Sequence, residues 1–213
     1  AINGANETVG AGGWTYNFSM LSNQNYSVFE GQLNLTVNPI TSAPTILLNG
    51  VGANLTVTYP QQINVSISGN QSTTTIKVNG SIQNAGQNYT IGGGGWVANV
   101  SVSASQNYSV NETYWGVTMN KATDAVSVLL NGIGANLTVT FPQQSNISVS
   151  GNESAVTINL NGTSLTAGLN YTIGGGGWFA NVTTAGNQNY SVNETNWQLV
   201  VNPITSAPTI LLN

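Results

Sequence analysis

The residues best suited to chemistry are asparagines followed two positions on by a hydroxyl. Asn-x-Ser/Thr is the acceptor triplet for N-linked glycans, which form their bond at the Asn side-chain nitrogen. Twenty such triplets occur, at Asn6, Asn17, Asn25, Asn34, Asn54, Asn64, Asn70, Asn79, Asn88, Asn99, Asn107, Asn111, Asn136, Asn146, Asn152, Asn161, Asn170, Asn181, Asn189 and Asn193. With 32 Asn and 45 Ser plus Thr among 213 residues, random order gives roughly seven. Alternation of polar and apolar residues contributes to the excess, because it spaces Asn and Ser/Thr two apart on one face. The same alternation makes the triplets usable. The Asn points outward, while the central Leu55, Val65, Val100 or Val182 points inward.

Other chemistries find little support. The chain has no Cys and no His, so no nucleophile–base pair of those types exists. Glu112 and Glu194 recur at one repeat position and suggest a glycosidase-like carboxylate pair, but each lies inside an "NET" triplet. Gly92–Gly95 and Gly174–Gly177 are not followed by Lys-Ser/Thr, and read as tight turns ahead of strands beginning at Trp96 and Trp178. Lys77 becomes Asn159 one repeat later, against a pilin-type isopeptide bond. Asp124 and the glutamates lack calcium-loop spacing. Trp14, Trp96 and Trp178 share a repeat position and are expected in the core, with Trp115 and Trp197 as exposed rings. No enzyme activity, catalytic residue, metal or cofactor is expected, only covalent N-linked glycans.

The elements that carry the triplets read as strands. Leu55, Val57 and Tyr59 alternate with Asn54, Thr56 and Thr58. Ile63, Val65 and Ile67 alternate with Asn64, Ser66 and Ser68. Period two means a half-buried strand, and no stretch has helical periodicity.

The strands recur with a period of 82 residues. "LLNGVGANLTVTYPQQ" at Leu47–Gln62 returns as "LLNGIGANLTVTFPQQ" at Leu129–Gln144. "YTIGGGGW" at Tyr89–Trp96 returns at Tyr171–Trp178, and "NQNYSV" at Asn23–Val28 returns at Asn187–Val192. A fixed period signals tandem copies of one small domain. "NPITSAP" at Asn38–Pro44 and Asn202–Pro208, and "NKATDA" at Asn120–Ala125, read as stiff joints. The expected organisation is a partial unit (the back half) at 1–38, whole domains at 42–120 and 123–202, and a lone first strand at 204–213. Each whole domain should hold about seven short strands in an antiparallel sandwich.

"TVTYPQQINVSISG", "TIKVNG", "GGGGWVANVSVSASQNYSVNETYWGVTMNKA" and the restart at "SVLLNG" resemble the Ig-like repeats of prokaryotic, including archaeal, cell-surface proteins. In that group a domain ends in an "NxxY" turn, a final strand and a short "VNKA" or "VNPI" joint. The resemblance implies tandem Ig-like sandwiches. In composition the chain is also similar in style to archaeal thread-like pili, whose subunits lock head to tail by donating a β-strand. That likeness implies a donor strand at Thr209, Ile210, Leu211 and Leu212.

Charge is nearly absent: two Lys, one Asp, five Glu and no Arg, for a net charge of −4. Such a surface cannot track nucleic acid. No run of 18 apolar residues spans a bilayer. With few groups to titrate, stability should depend little on pH. This fits life in acid or a harsh extracellular medium, and equally a glycan coat that replaces charge. The expected role is an extracellular, cell-surface structural subunit of a filament, pilus or stalk. Its partners are copies of itself, joined head to tail by β-strand addition. The alternatives are an adhesin contacting surface sugars or another cell, and a piece of an S-layer or giant repeat protein. The absence of an initial Met points to a processed form or a window of a longer chain.

Overall fold

The computed structural model describes residues 4, 6–70, 73–151 and 153–210, with the side chain of residue 70 excluded. No helix occurs among them. A hairpin of β1 (Gly12–Met20) and β2 (Phe29–Val37) comes first, followed by a short β3 (Ile40–Thr41). The first sandwich comprises β4 (Ala43–Leu48), β5 (Leu55–Thr58), β6 (Ile63–Asn70), β7 (Thr74–Val78), β8 (Ser81–Gln83), β9 (Gln87–Tyr89), β10 (Gly94–Val102), β11 (Tyr108–Ser109) and β12 (Asn111–Asn120). After β13 (Ala122–Thr123), the second repeats the order as β14 (Ser127–Leu130), β15 (Leu137–Thr140), β16 (Ser145–Ser150), β17 (Val156–Leu160), β18 (Thr163–Leu165), β19 (Leu169–Tyr171), β20 (Gly176–Thr184), β21 (Tyr190–Ser191) and β22 (Glu194–Asn202).

Each sandwich is all-β and Ig-like. A three-stranded sheet, β14-β16-β19, faces a five-stranded sheet, β15-β22-β20-β17-β18, and β4-β6-β9 with β5-β12-β10-β7-β8 repeats the plan. The strand at the start of a unit is broken in two. Asn49-Gly50 and Asn131-Gly132 take positive φ, the chain turns, and the next strand joins the opposite sheet. β15 then runs parallel to β22. A simple alternation pattern shows the strand but not this change of sheet, so more segments appear than the seven expected. Asn79-Gly80 and Asn161-Gly162 also have positive φ at both residues. They close the β7–β8 and β17–β18 hairpins, the standard use of Asn-Gly in a two-residue turn.

Alternation does what the sequence requires. In β20, Ala180, Val182 and Thr184 are fully buried while the residues between them are not. Ala180 and Val182 pack with Val128, Leu130, Ile147, Ile158, Leu199 and Val201 in one core. Ile46, Leu48, Ile63, Val65, Ala98, Val100, Val102 and Val117 are the equivalent buried residues of the first unit.

By compactness the chain divides into one unit of Ala1–Leu55, Gln62–Tyr89 and Gly95–Thr118 and another of Thr56–Gln61, Thr90–Gly94 and Met119–Asn213. In the first unit the strand that opens the sandwich is stitched down by side chains of β12. Asn111 Nδ2, Thr113 Oγ1 and Trp115 Nε1 donate to the carbonyls of Ser42, Pro44 and Ile46 at 2.5, 2.9 and 3.1 Å. The second unit repeats the stitch from Asn193 and Thr195 to Asp124 and Val126 at 2.6 and 3.3 Å. Its third rung fails, because Trp197 Nε1 is buried without a partner. Trp115 is therefore a half-buried stitching residue and Trp197 a half-buried ring at the equivalent position, neither of them the exposed ring expected from sequence. Trp14 is 37% exposed and is not a core aromatic, whereas Trp178 packs on the second core.

The hairpin aligns with β20 and β22 two periods on. Phe29 and Gly31 stand where Asn193 and Thr195 make the stitch, and Leu33 stands at the position of Trp197. Phe18 and Phe29 contact each other at 6.0 Å between ring centres, and the Phe18 ring covers the bare Cα of Gly31. Phe29 and Leu33 remain more than half exposed.

The stitch yields a matched pair of substitutions. Trp115→Phe removes a satisfied hydrogen bond, whereas Trp197→Phe removes an orphaned donor and relieves its desolvation cost. Trp115→Phe should destabilise by about 1 kcal/mol more than Trp197→Phe. Urea denaturation of the two variants checks this, and equal losses would refute the difference in rungs.

Candidate functional site

Two surfaces carry the residues of interest: the array of sequon asparagines, and a clasp that recurs once in each compact unit.

The asparagines sort by the state of the side-chain nitrogen. Eleven are exposed: Asn6, Asn17, Asn25, Asn34, Asn54, Asn79, Asn88, Asn107, Asn136, Asn161 and Asn170. Several of these are held through the oxygen alone. Asn54 Oδ1 accepts from Gly116 N and Asn136 Oδ1 from Gln198 N, both at 2.8 Å. Asn79 and Asn161 Oδ1 accept from Val97 N and Phe179 N at 2.7 and 2.8 Å. A glycan at Nδ2 leaves such bonds intact.

Six others are half-buried and have committed Nδ2. Asn64 and Asn146 donate across the sheet to Gly86 O and Gly168 O at 3.0 and 2.9 Å. Asn99 and Asn181 donate to Glu112 and Glu194 Oε1, the second at 2.6 Å. Asn111 and Asn193 are the stitch donors. This also accounts for the recurring glutamates, each of which holds an amide on the neighbouring strand. Asn189 is half-buried but uses its oxygen. The side chain of Asn70, and Asn152, lie outside the described residues.

The clasp joins a glycine loop to a Gln-Asn-Tyr-Ser segment. In the second unit Gly93 N donates to Asn189 Oδ1 at 3.1 Å and Ala122 N to Asn189 O at 2.9 Å. Ala122 and Thr123 run parallel to Tyr190 and Ser191. The Tyr190 ring meets Tyr59 edge to face at 5.5 Å. A Cβ on Gly92 would lie 2.7 Å from the Gln188 side chain, and one on Gly93 would lie 2.2 Å from Gln188 O. Backbone approach this close is what glycine permits.

The first unit contains the same clasp. Ala11 N donates to Asn107 Oδ1 at 2.9 Å, Gln106 Nε2 to Ala11 O at 3.2 Å, and Ile40 N to Asn107 O at 3.0 Å. Ile40 and Thr41 run parallel to Tyr108 and Ser109. Ala11 stands where Gly93 does, so this position accepts one methyl. The turn that presents the segment is self-made. Asn187 Oδ1 accepts from Asn189 N and Tyr190 N at 2.8 and 2.9 Å, and Asn187 N donates to Tyr190 O at 3.0 Å.

Sequence reasoning read the glycine runs as turns only and did not join them to the Gln-Asn-Tyr-Ser segments. The available signal was that both recur on the 82-residue period. The Tyr190 phenol sits above the ordinary tyrosine value, first through desolvation and then through the charge of Glu153, with Tyr59 and Asp124 adding. A raised phenol contributes its stabilisation fully below the unfolded value and loses it as pH rises through the folded one. This group therefore leaves the clasp indifferent to acid and weakened by strong alkali.

Asp124 is fully buried. Its carboxylate accepts from Glu153 N at 2.9 Å and Ser154 Oγ at 2.6 Å, holding the turn that precedes β17. Of the donor-strand residues, Thr209 and Ile210 lie in no strand and Ile210 is 84% exposed. Leu211 and Leu212 lie outside the described residues. Among the described residues no group of three His, Cys, Asp or Glu gathers to hold a metal, and no helix is long and apolar enough to cross a membrane.

No family model and no curated protein matches the chain. Solved structures with some likeness include the fibronectin(III)-like modules of Clostridium thermocellum CbhA, at 10% identity over 78% of this chain and all of that one, with a TM-score of 0.30. Drosophila N-cadherin EC1-3 aligns at 10% identity over 85% of this chain and 75% of its own, TM-score 0.30. The I9-I11 tandem of titin aligns at 11% over 89% and 74%, TM-score 0.28. The sandwich assignment stands on the strand order and core of this chain.

Glycan occupancy should follow the amide geometry. In glycopeptide mass spectrometry of native material, Asn54, Asn79, Asn136 and Asn161 should be the more occupied, and Asn111 and Asn193 the less. The reverse order would contradict it. Ultraviolet titration should also show Tyr190, as the component that Tyr190→Phe removes, ionising above the ordinary tyrosine value.

Proposed function

We propose that this chain is a structural repeat module of a heavily N-glycosylated extracellular filament, pilus or stalk. The observation that carries the reading is the clasp. The same loop, amide acceptor and parallel pairing recur one period apart, so the repeat includes a built connection as well as a domain. The exposed sequons support it too. An outer surface of Asn, Ser and Thr with almost no charge is suited to a covalent sugar coat that is bulky and solubilising.

Head-to-tail assembly by β-strand addition is part of the proposal, with Thr209–Leu212 as the donated strand. The hairpin's exposed Phe29 and Leu33 offer it an apolar seat. Because Phe29, Gly31 and Leu33 replace the stitch donors, that seat would hold a strand by apolar contact and not by the Asn-Thr-Trp ladder. An adhesin is the second reading, favoured by one feature. Phe179, 59% exposed, lies in a shallow groove of about 350 Å3 with Asn159, Asn161, Glu194 and Asn196. An aromatic face ringed by amides and a carboxylate suits a sugar ring.

Negative-stain imaging of native material tests the reading. Filaments whose axial repeat matches a few sandwich lengths are expected. Dispersed single particles that bind a glycan array through Phe179, and lose that binding in Phe179→Ala, would favour the adhesin instead.

A further inference from the structure

The third glycine loop, Gly174–Gly177, carries the clasp's sequence without its contact. "YTIGGGGW" there is identical to Tyr89–Trp96. Gly92 and Gly93 are half-buried, as is Gly10, and Ala11 is buried, whereas Gly174 and Gly175 are exposed. A Cβ on Gly174 would meet nothing within 4 Å. The loop is nonetheless preformed. Trp178 Nε1 donates to Gly174 O at 3.0 Å, as Trp14 Nε1 does to Gly10 O at 2.8 Å in the occupied first clasp.

The complementary half is present elsewhere in the chain. "NQNYSV" at Asn23–Val28 is identical to Asn187–Val192. Asn25 N and Tyr26 N donate to Asn23 Oδ1 at 2.9 and 3.0 Å, and Asn23 N donates to Tyr26 O at 2.9 Å. That is the Asn187 turn, bond for bond. Yet Gln24–Ser27 are all exposed and Tyr26 is 68% exposed, where Tyr190 and Ser191 are half-buried.

We propose that the Gly174 loop is a self-recognition site whose occupant is Gln24–Ser27 of a second copy of this chain. Asn25 Oδ1 takes the amide hydrogen of Gly175, as Asn189 takes that of Gly93. Ile204 N donates to Asn25 O, as Ile40 N does to Asn107 O. Tyr26 packs on Phe141, which stands one period after Tyr59. Both turns are held by their own hydrogen bonds before they meet, which lowers the ordering cost of docking. The contact is small, so a single clasp is weak. Sequential clasps along an array add by raising effective concentration. A glycan on Asn25 occupies Nδ2 and leaves the required oxygen free. This inference deepens the head-to-tail reading and rests on it, but it does not need strand addition.

The test is amide NMR of the unglycosylated full chain, diluted from about 1 mM, the weak end of the affinity scale. Concentration-dependent shifts are expected at Gly174, Gly175, Asn25, Tyr26 and Ile204. Gly174→Val should weaken them with the circular dichroism unchanged, because a Cβ there meets nothing within 4 Å in the isolated chain, whereas one on the equivalent Gly92 crowds the Gln188 side chain. Asn25→Ala, which removes only the acceptor, should weaken them. No shifts at these amides at about 1 mM, or shifts unaffected by both variants, would overturn the proposal. If association survives Gly174→Val but is lost on deleting residues 206–213, copies join by strand addition. The clasp site is then wrong while the filament reading stands.

Discussion

The whole structure depends on one constraint: each strand must bury every second side chain. Because of it, Val65, Val100 and Val182 fill the cores while the Asn and Ser/Thr on either side face away. The same pleat that builds the sandwich also generates the sequon array. Core packing and the outward placement of the acceptor triplets therefore follow from one pattern of residues. With six acids, two lysines and no histidine, the outer surface has amides and hydroxyls in place of charge. Those groups go on to make the stitches, the turns and the clasps.

Three of the jobs that amides do here differ in the atom or backbone feature they use. Asn49, Asn79, Asn131 and Asn161 take positive φ beside a glycine and turn the chain. Asn111 and Asn193 donate through nitrogen and hold the opening strand to the far sheet. Asn107 and Asn189 accept through oxygen and close the clasp. Of these, the second competes for the nitrogen that a sugar would take, as do the cross-strand bonds from Asn64, Asn99, Asn146 and Asn181. One residue type thus supplies turns, stitches and clasps, and geometry separates them.

Much of this was legible in the sequence. Alternation gave the strands and the inward-facing valines, and the 82-residue period gave the two sandwiches. What it could not give was the partner across a gap. Periodicity says which way Trp115 faces along its strand. It does not say that a carbonyl of Ile46 lies within reach of its indole, so the ring looked free. Likewise the glycine runs read as turns, because nothing local says that Gln188 closes on them from far along the chain. The change of sheet at Asn49-Gly50 was hidden for the same reason, since both halves alternate correctly.

The central claim is that the amide-to-glycine clasp is a built connection within the repeat and not an incidental contact. Hydrogen exchange on Asn189→Ala tests it most directly. The substitution removes the acceptor for Gly93 N and leaves the Asn187 turn in place. The account predicts faster exchange at Gly93 and, through the loosened pairing with residue 189, at Ala122. Val182 and Leu199 in the core should keep their protection. Unchanged protection at Gly93 and Ala122 would contradict it.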